Sequence, residues 1–261
     1  MGFARSLHPL ISFYLRRQAG MSKGGSIGVI RRIQRFPVKS MGGDALDTVE
    51  LRWNGLAGDR QYAFVKTNDR GRFPYLTGRD LPDLLLYRAR YLKPEDPKTS
   101  ALTVASPKGG EYEIDDPALC LELSEAAGEP VHLMQLGRGH FDSAVISLVS
   151  TTTAGRLAQA HGSDIDLQRF RINLLVEPAD AETWERDWLG KRVAIGNQGV
   201  RLRADRPIDR CVMITLDPKT ARRAPAIMKT VARQFGNQIG IYGTVEQPGP
   251  IGLGDGIRLA D

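Results

Sequence analysis

From Ile27 onward, short runs of alternating apolar and polar residues dominate the chain, the pattern of half-buried strands rather than of long amphipathic helices. Residues 27–35 alternate in this way until Phe36-Pro37 breaks the run, and 45–51, 61–66 and 86–92 are the next strand candidates. Asn68-Asp69-Arg70-Gly71 reads as a hairpin-type turn, and 102–105 with 111–114 flank a second one at Pro107-Lys108-Gly109-Gly110. Asp116 ahead of Pro117 predicts an N-capped helix that runs to Ala127 and stops at Gly128. After a strand at 144–149, Ser150 caps a predicted helix over 151–161 that Gly162 ends. Further strands are predicted over 170–177, 192–195, 200–204, 212–216, 239–245 and 256–259, with one more helix over 221–234.

Predicted strands far outnumber helices and do not alternate with them, which argues against a doubly wound sheet. The expected fold is a β-rich α+β chain, a barrel with a few packed helices. Gly137-Arg138-Gly139 marks the expected boundary between a β-rich N-terminal lobe at 27–138 and a barrel at 139–261. Residues 1–26 read as a disordered or targeting-like extension. The first twenty residues are basic and lack acids, but have neither the long apolar core nor the cleavage site of a secretory signal.

Composition narrows the class. In 261 residues, 41% apolar and 25% charged content is ordinary for a globular protein, so disorder and coiled coil are excluded as the main theme. No apolar run is long enough to span a membrane. Two cysteines, Cys120 and Cys211, exclude a disulfide scaffold and any four-thiolate metal site, and fit a reducing, cytoplasmic setting. The net charge of +6 is local: residues 1–43 hold eight basic and no acidic residues, and the rest holds 28 basic against 30 acidic. A chain built to coat nucleic acid would spread its excess over a face, so no nucleic-acid partner is expected. There is no P-loop and no H-E-x-x-H, and a nucleophile elbow is not expected. The four histidines never fall at ligand spacing.

Two features carry candidate chemistry. Cys211 stands beside Arg206 and Arg210 at the mouth of a strand. Cations beside a cysteine favour the thiolate, the form that binds a soft metal or carries sulfur. A buried structural cysteine is the alternative. Cys120, by contrast, falls on the apolar stripe of a helix with Leu119, Leu123 and Ala127, where core packing is expected. The second feature is Phe36-Pro37-Val38-Lys39-Ser40 followed by Gly58-Asp59-Arg60, whose lysine and serine could hold an anion.

Together, the Pro-Val-Lys-Ser of 37–40 and the Arg210-Cys211 that precedes Asp217-Pro218 resemble the MOSC proteins, named for the C-terminal domain of molybdenum-cofactor sulfurases. Within them the chain resembles the mitochondrial amidoxime-reducing components and their bacterial counterparts. Motifs at 55–62, 77–84, 169–176, 235–238 and 249–255 occur in matching order. The resemblance implies a pyruvate-kinase-barrel-like MOSC β-barrel, an N-terminal β-rich lobe, and a molybdenum–molybdopterin cofactor between them. By position, the metal-ligating and catalytic cysteine falls on Cys211. Pterin and phosphate contacts fall on Lys39, Ser40, Arg60, Ser143, Arg171, Asn173, Arg210 and Tyr242. Arg171 and Asn173 stand two apart on a predicted strand and so would share a face, and the Asn173 amide offers a donor–acceptor pair to a pterin edge.

The implied activity is reduction of small N-hydroxylated compounds, amidoximes or N-hydroxylated bases. The alternative is a non-catalytic carrier of the cofactor, or of persulfide sulfur on Cys211. Pyridoxal phosphate binding comes with the resemblance only as a family-level association. Asp209 stands where relatives usually have a small residue. No ferredoxin-type domain follows the barrel here, so electrons are expected from a separate ferredoxin, flavodoxin or cytochrome-type reductase.

Overall fold

The computed structural model describes residues 25–260; of the extension expected at 1–26, residues 1–24 lie outside them. In chain order the strands are β1 (Gly28–Arg35), β2 (Asp44–Leu46), β3 (Thr48–Arg52), β4 (Gly55–Leu56), β5 (Tyr62–Lys66), β6 (Arg88–Tyr91), β7 (Leu102–Ala105) and β8 (Glu111–Glu113). They continue with β9 (Val131–Gln135), β10 (Ile146–Ser150), β11 (Leu174–Pro178), β12 (Arg192–Ile195), β13 (Val200–Asp209), β14 (Gln238–Gln247), β15 (Gly249–Gly252) and β16 (Gly256–Ala260). The helices are α1 (Pro117–Ala127), α2 (Thr151–His161) and α3 (Pro225–Phe235).

Seven strands close a barrel in the order β1–β11–β10–β14–β13–β12–β16 and back to β1. All neighbours are antiparallel except β10 and β11. The closing stave is β1, the first strand of the chain, which meets β11 at Ile33–Leu174 and β16 at Gly28–Ile257. Closure leaves no unpaired edge on this sheet apart from the ends that turn outward to β2. Alternate side chains fill the interior: Ile33, Leu174, Val176, Val200 and Ile241 are fully buried. Each contributes roughly 1.5–3 kcal/mol by leaving water.

The N-terminal lobe pairs β5 with β9 and builds a β6–β7–β8 meander against α1. Its core gathers Phe64, Leu84, Tyr87, Val104, Leu119 and Leu123. The lobes also exchange strands, because β15 from the end of the chain pairs with β3. A third apolar cluster, with Leu157, Phe170, Ile214, Val231 and Ile239, holds α2 and α3 over one end of the barrel.

Local sequence explains the helix ends. The Asp116 carboxylate accepts from Ala118 N–H and Gly128 closes α1 in the left-handed region (φ 73°); Ser150 and Gly162 (φ 82°) do the same for α2. Of the apolar runs expected as strands, 212–216 is not one and 170–177 is one only in its second half, β11. Residues 212–215 form a 3-10 turn in which Ile214 N–H donates to the Cys211 carbonyl and Leu216 N–H to Met213, so the backbone is satisfied without a partner strand. The run at 170–177 starts as another 3-10 turn over 167–170, and Arg171 then takes φ 51°, so that extension begins only at Leu174. Arg171 and Asn173 therefore do not share a strand face. The string Gly24-Gly25-Ser26-Ile27-Gly28 has the spacing of a nucleophile elbow, but Ser26 is followed by the strand β1 and not by a helix. The Ser26 hydroxyl lies within bonding distance of the Gly28 and Ile257 carbonyls.

Candidate functional site

A cleft of about 540 Å³ opens between the lobes, and all nine residues singled out from sequence line it. Its first wall is the segment after β1. Phe36 N–H donates to the buried Asp59 carboxylate at 2.7 Å, and Lys39 N–H donates to the Tyr62 carbonyl at 2.8 Å, which pins the loop against β5. The Lys39 ammonium, only 7% exposed, donates to the His140 carbonyl (3.0 Å) and pairs with Asp142. The rings of Tyr75 and Phe73 lie 4.9 and 5.2 Å from it. Burial pushes this ammonium below the usual lysine range; Asp142 opposes the shift and the neighbouring Arg60 and Arg171 reinforce it.

Arg60 and Arg171 form the second wall. Arg60 pairs with Asp59 through Nη1 and donates through Nη2 to the Arg171 carbonyl (2.9 Å). Arg171 Nη1 donates to the Met41 carbonyl at 2.6 Å, whereas its Nη2 is buried with no partner. Both guanidinium groups lie on the Phe36 ring, at 5.0 and 4.2 Å from its centroid. Burial, then the charge of Arg60, lowers the Arg171 pKa. Like charges packed this closely in a place poor in water favour an anion between them.

The third wall carries the cysteine. β13 ends at Asp209, and the next residue is clamped: Arg210 N–H donates to the Asn237 carbonyl, and the Asn237 amide donates back to Arg210 C=O, both at 2.9 Å. Arg210 side-chain donors reach the carbonyls of Ile239 and Phe170. This frame holds Cys211, which is exposed, at the head of the 3-10 turn. Arg206 bonds Ser143 Oγ and lies 5.1 Å from the Tyr242 ring. The Asp209 carboxylate accepts from Gln238 Nε2 at 3.0 Å.

Five non-glycine residues among the described residues have positive φ, and three of them are the cleft residues Ser40 (65°), Arg60 (51°) and Arg171 (51°). A fourth, Asn237, is the clamp on Arg210. Each such residue costs roughly 1–2 kcal/mol in backbone strain, and strain of this kind concentrates where a site dictates side-chain direction. Nothing in the sequence announces it, because serine and arginine do not favour that region.

Asn173, like Arg210, bonds the protein itself. Its Oδ1 accepts from Ser147 Oγ (2.9 Å) and its Nδ2 donates to the Gln34 carbonyl (3.1 Å) and Asp59 (3.0 Å). The amide that the sequence offered to a pterin edge is already used within the protein; its effect on the cleft runs through Asp59 to Arg60. Sequence reasoning missed Phe73, Arg79, Phe141 and Asp142, which also line the cleft. Arg79 lies inside the motif at 77–84 and was legible there; Phe73, Phe141 and Asp142 come from loops with no motif. The lining counts seven cations (Lys39, Arg60, Arg79, Arg169, Arg171, Arg206, Arg210) against the carboxylates of Asp142 and Asp209. Such a cleft can take an oxyanion and, at Cys211, a group suited to sulfur. Among the described residues no group of three or more His, Cys, Asp or Glu side chains could hold a metal ion alone, and no helix is long and apolar enough to cross a membrane.

Several known proteins are similar to the chain in part or through most of its length. The chain is 37% identical over 76 residues to the molybdenum cofactor sulfurase of Bombyx mori, and 36% identical over 87 residues to that of Anopheles gambiae. These stretches are 28% and 33% of the chain, and only 9% and 11% of the relatives' own lengths. The crystal structure of the YUAD protein from Bacillus subtilis is similar at a TM-score of 0.48 and 16% identity, covering 92% of this chain and 98% of that one. Residues 27–136 match the MOSC N-terminal beta barrel domain and residues 135–258 match the MOSC domain, so the chain belongs to the MOSC-domain proteins that carry an N-terminal barrel lobe.

Proposed function

We propose that this protein holds a molybdenum–molybdopterin cofactor in the interlobe cleft and reduces N-hydroxylated compounds, amidoximes and N-hydroxylated bases among them, with electrons from a separate protein. The observation that carries the reading is Arg171 Nη2, a buried guanidinium donor without a partner, held between Arg60 and Lys39 in the cleft that also presents Cys211. Buried donors are ordinarily satisfied, and charged ones strongly so; this one lacks an acceptor that a phosphate would supply. Similarity to the molybdenum cofactor sulfurases supports the identity of the group.

The residues fit such a cofactor. Lys39, Arg60 and Arg171 would hold its phosphate, with the Ser40 hydroxyl as a further donor, and Cys211 would ligate the molybdenum. When bound, the cofactor supplies removal of an oxygen atom from nitrogen and the two electrons that this needs. The chain supplies placement. Asp59, fixed by Phe36 N–H and the Asn173 amide, orients Arg60. The clamp between Arg210 and Asn237 fixes the backbone on which Cys211 sits. Exposure of Cys211 leaves its side of the cleft open to a small substrate.

The test is turnover of benzamidoxime by the full chain purified from a molybdenum-replete host. Reduced viologen dye should support reduction, and NADH alone should not, because two cysteines cannot build a [2Fe–2S] cluster that needs four protein ligands. Turnover with NADH alone would remove the partner requirement. The exposure of Cys211 equally favours a carrier of cofactor or persulfide; failure with both reductants in molybdenum-loaded protein would select that reading.

A further inference from the structure

Most cations of the cleft have an acidic or carbonyl partner, but two stand apart. Arg79, on the loop between β5 and β6 in the N-terminal lobe, is exposed and lies 5.1 Å from the Phe73 ring. Arg206, on β13 of the barrel, is exposed, lies 5.1 Å from the Tyr242 ring and bonds the Ser143 hydroxyl. Among the described residues neither pairs with a carboxylate, whereas Arg169 pairs with Asp217 at 2.5 Å. The two carboxylates of the lining are themselves engaged, Asp142 by Lys39 and Asp209 by Gln238. A ring beside a guanidinium orders it in advance, leaving the Arg79 donors, and those of Arg206 that Ser143 does not take, for a planar oxyanion. One such arginine comes from each lobe, and both face the same cleft.

We propose that Arg79 and Arg206 form a clamp for an anionic group on the substrate, so that the preferred N-hydroxylated compounds carry a carboxylate or phosphate besides the N–O group. The inference rests on the reductase reading above and narrows its substrate class. The phosphate of a bound cofactor belongs with the buried Lys39 and the half-buried Arg60 and Arg171; the two exposed arginines are left for what enters from solvent.

Isothermal titration calorimetry on the full chain, without reductant, tests the clamp independently of turnover. The probes are benzamidoxime, its 4-carboxylate and its 4-phosphonate. At least one anionic probe should bind about tenfold or more tightly than the neutral one, the scale of charge-assisted bonds. The tighter of the two arms identifies the oxyanion. The ratio of anionic to neutral affinity should fall in Arg79→Gln and in Arg206→Gln and approach one in the double variant. Equal affinities in the parent, or a preference that survives the double variant, overturns the clamp. Loss of molybdenum from either single variant also overturns it, by assigning that arginine to the cofactor. Benzamidoxime turnover without anion preference sinks the clamp and keeps the reductase. Anion preference without turnover of any probe, in molybdenum-loaded protein, sinks the reductase and with it the substrate class.

Discussion

The two cysteines sit in regions built on opposite plans. Cys120, on α1, is half-buried against the core that holds Leu119, Leu123 and Val131, and burial pushes its thiol above the usual range. Around it, polar groups are closed off: Glu122 accepts from the hydroxyls of Tyr87, Ser106 and Tyr112. Cys211 is exposed in a cleft whose cations outnumber its carboxylates, where a buried guanidinium donor has no partner and three residues take left-handed backbone. A region complete in itself needs nothing more to be stable. One that holds a buried donor without a partner and strained backbone has the plan expected of a ligand site.

Exchanging each cysteine breaks the comparison most sharply. Cys211→Ala should abolish amidoxime turnover while moving stability by no more than about 0.5 kcal/mol, as expected of an exposed side chain. Cys120→Ala should keep turnover and lose about 1 kcal/mol through the small cavity left on α1. Denaturant melts paired with turnover separate the two, and turnover retained by the Cys211 variant would defeat its assignment.

Next in size are the cations assigned to the phosphate. Lys39→Ala and Arg171→Gln should each weaken cofactor retention about tenfold to a hundredfold, read as molybdenum remaining after dialysis. If both variants retain it like the parent, these side chains hold no phosphate. Asn173→Ala sharpens the boundary between holding the cofactor and holding the cleft. Because its amide is spent on Ser147, Gln34 and Asp59, truncation should cost about 1–3 kcal/mol of stability by orphaning buried groups. Cofactor loss with an unchanged melt would instead give the amide to the pterin.

The smallest effect is one of pH. His140 Nε2 faces the Met134 carbonyl and its Nδ1 is buried without a partner, so the neutral ring is favoured and burial lowers its pKa. The unfolded chain then binds a proton that the folded chain refuses. Stability should fall as pH drops through about 6.5 and level off below the folded-state pKa. His140→Gln should flatten that part of the stability curve; an unchanged slope would assign it to other groups.

What could be read from sequence was local. The ends of α1 and α2 were legible because their caps, Asp116 with Gly128 and Ser150 with Gly162, act within a few residues. The meeting of β1 with β11 and β16 joins segments far apart along the chain, and no short-range pattern encodes it. The run at 212–216 and the start of the run at 170–177 are apolar enough to suggest strands, yet local 3-10 bonds close there, and in the second run extension begins only at Leu174. At the site, residue types and motif order drew out the cations and the cysteine, whereas the left-handed turns at Ser40, Arg60 and Arg171 and the spent amide of Asn173 became visible only in three dimensions.

The central claim is that Cys211 gives its sulfur to molybdenum in this cleft. Molybdenum K-edge X-ray absorption on the full chain tests it most directly, comparing the parent with Cys211→Ser. The account predicts about one molybdenum per chain in the parent and one sulfur neighbour fewer in the variant. A parent that purifies without molybdenum from a replete host, or a sulfur shell unchanged in the variant, would contradict it.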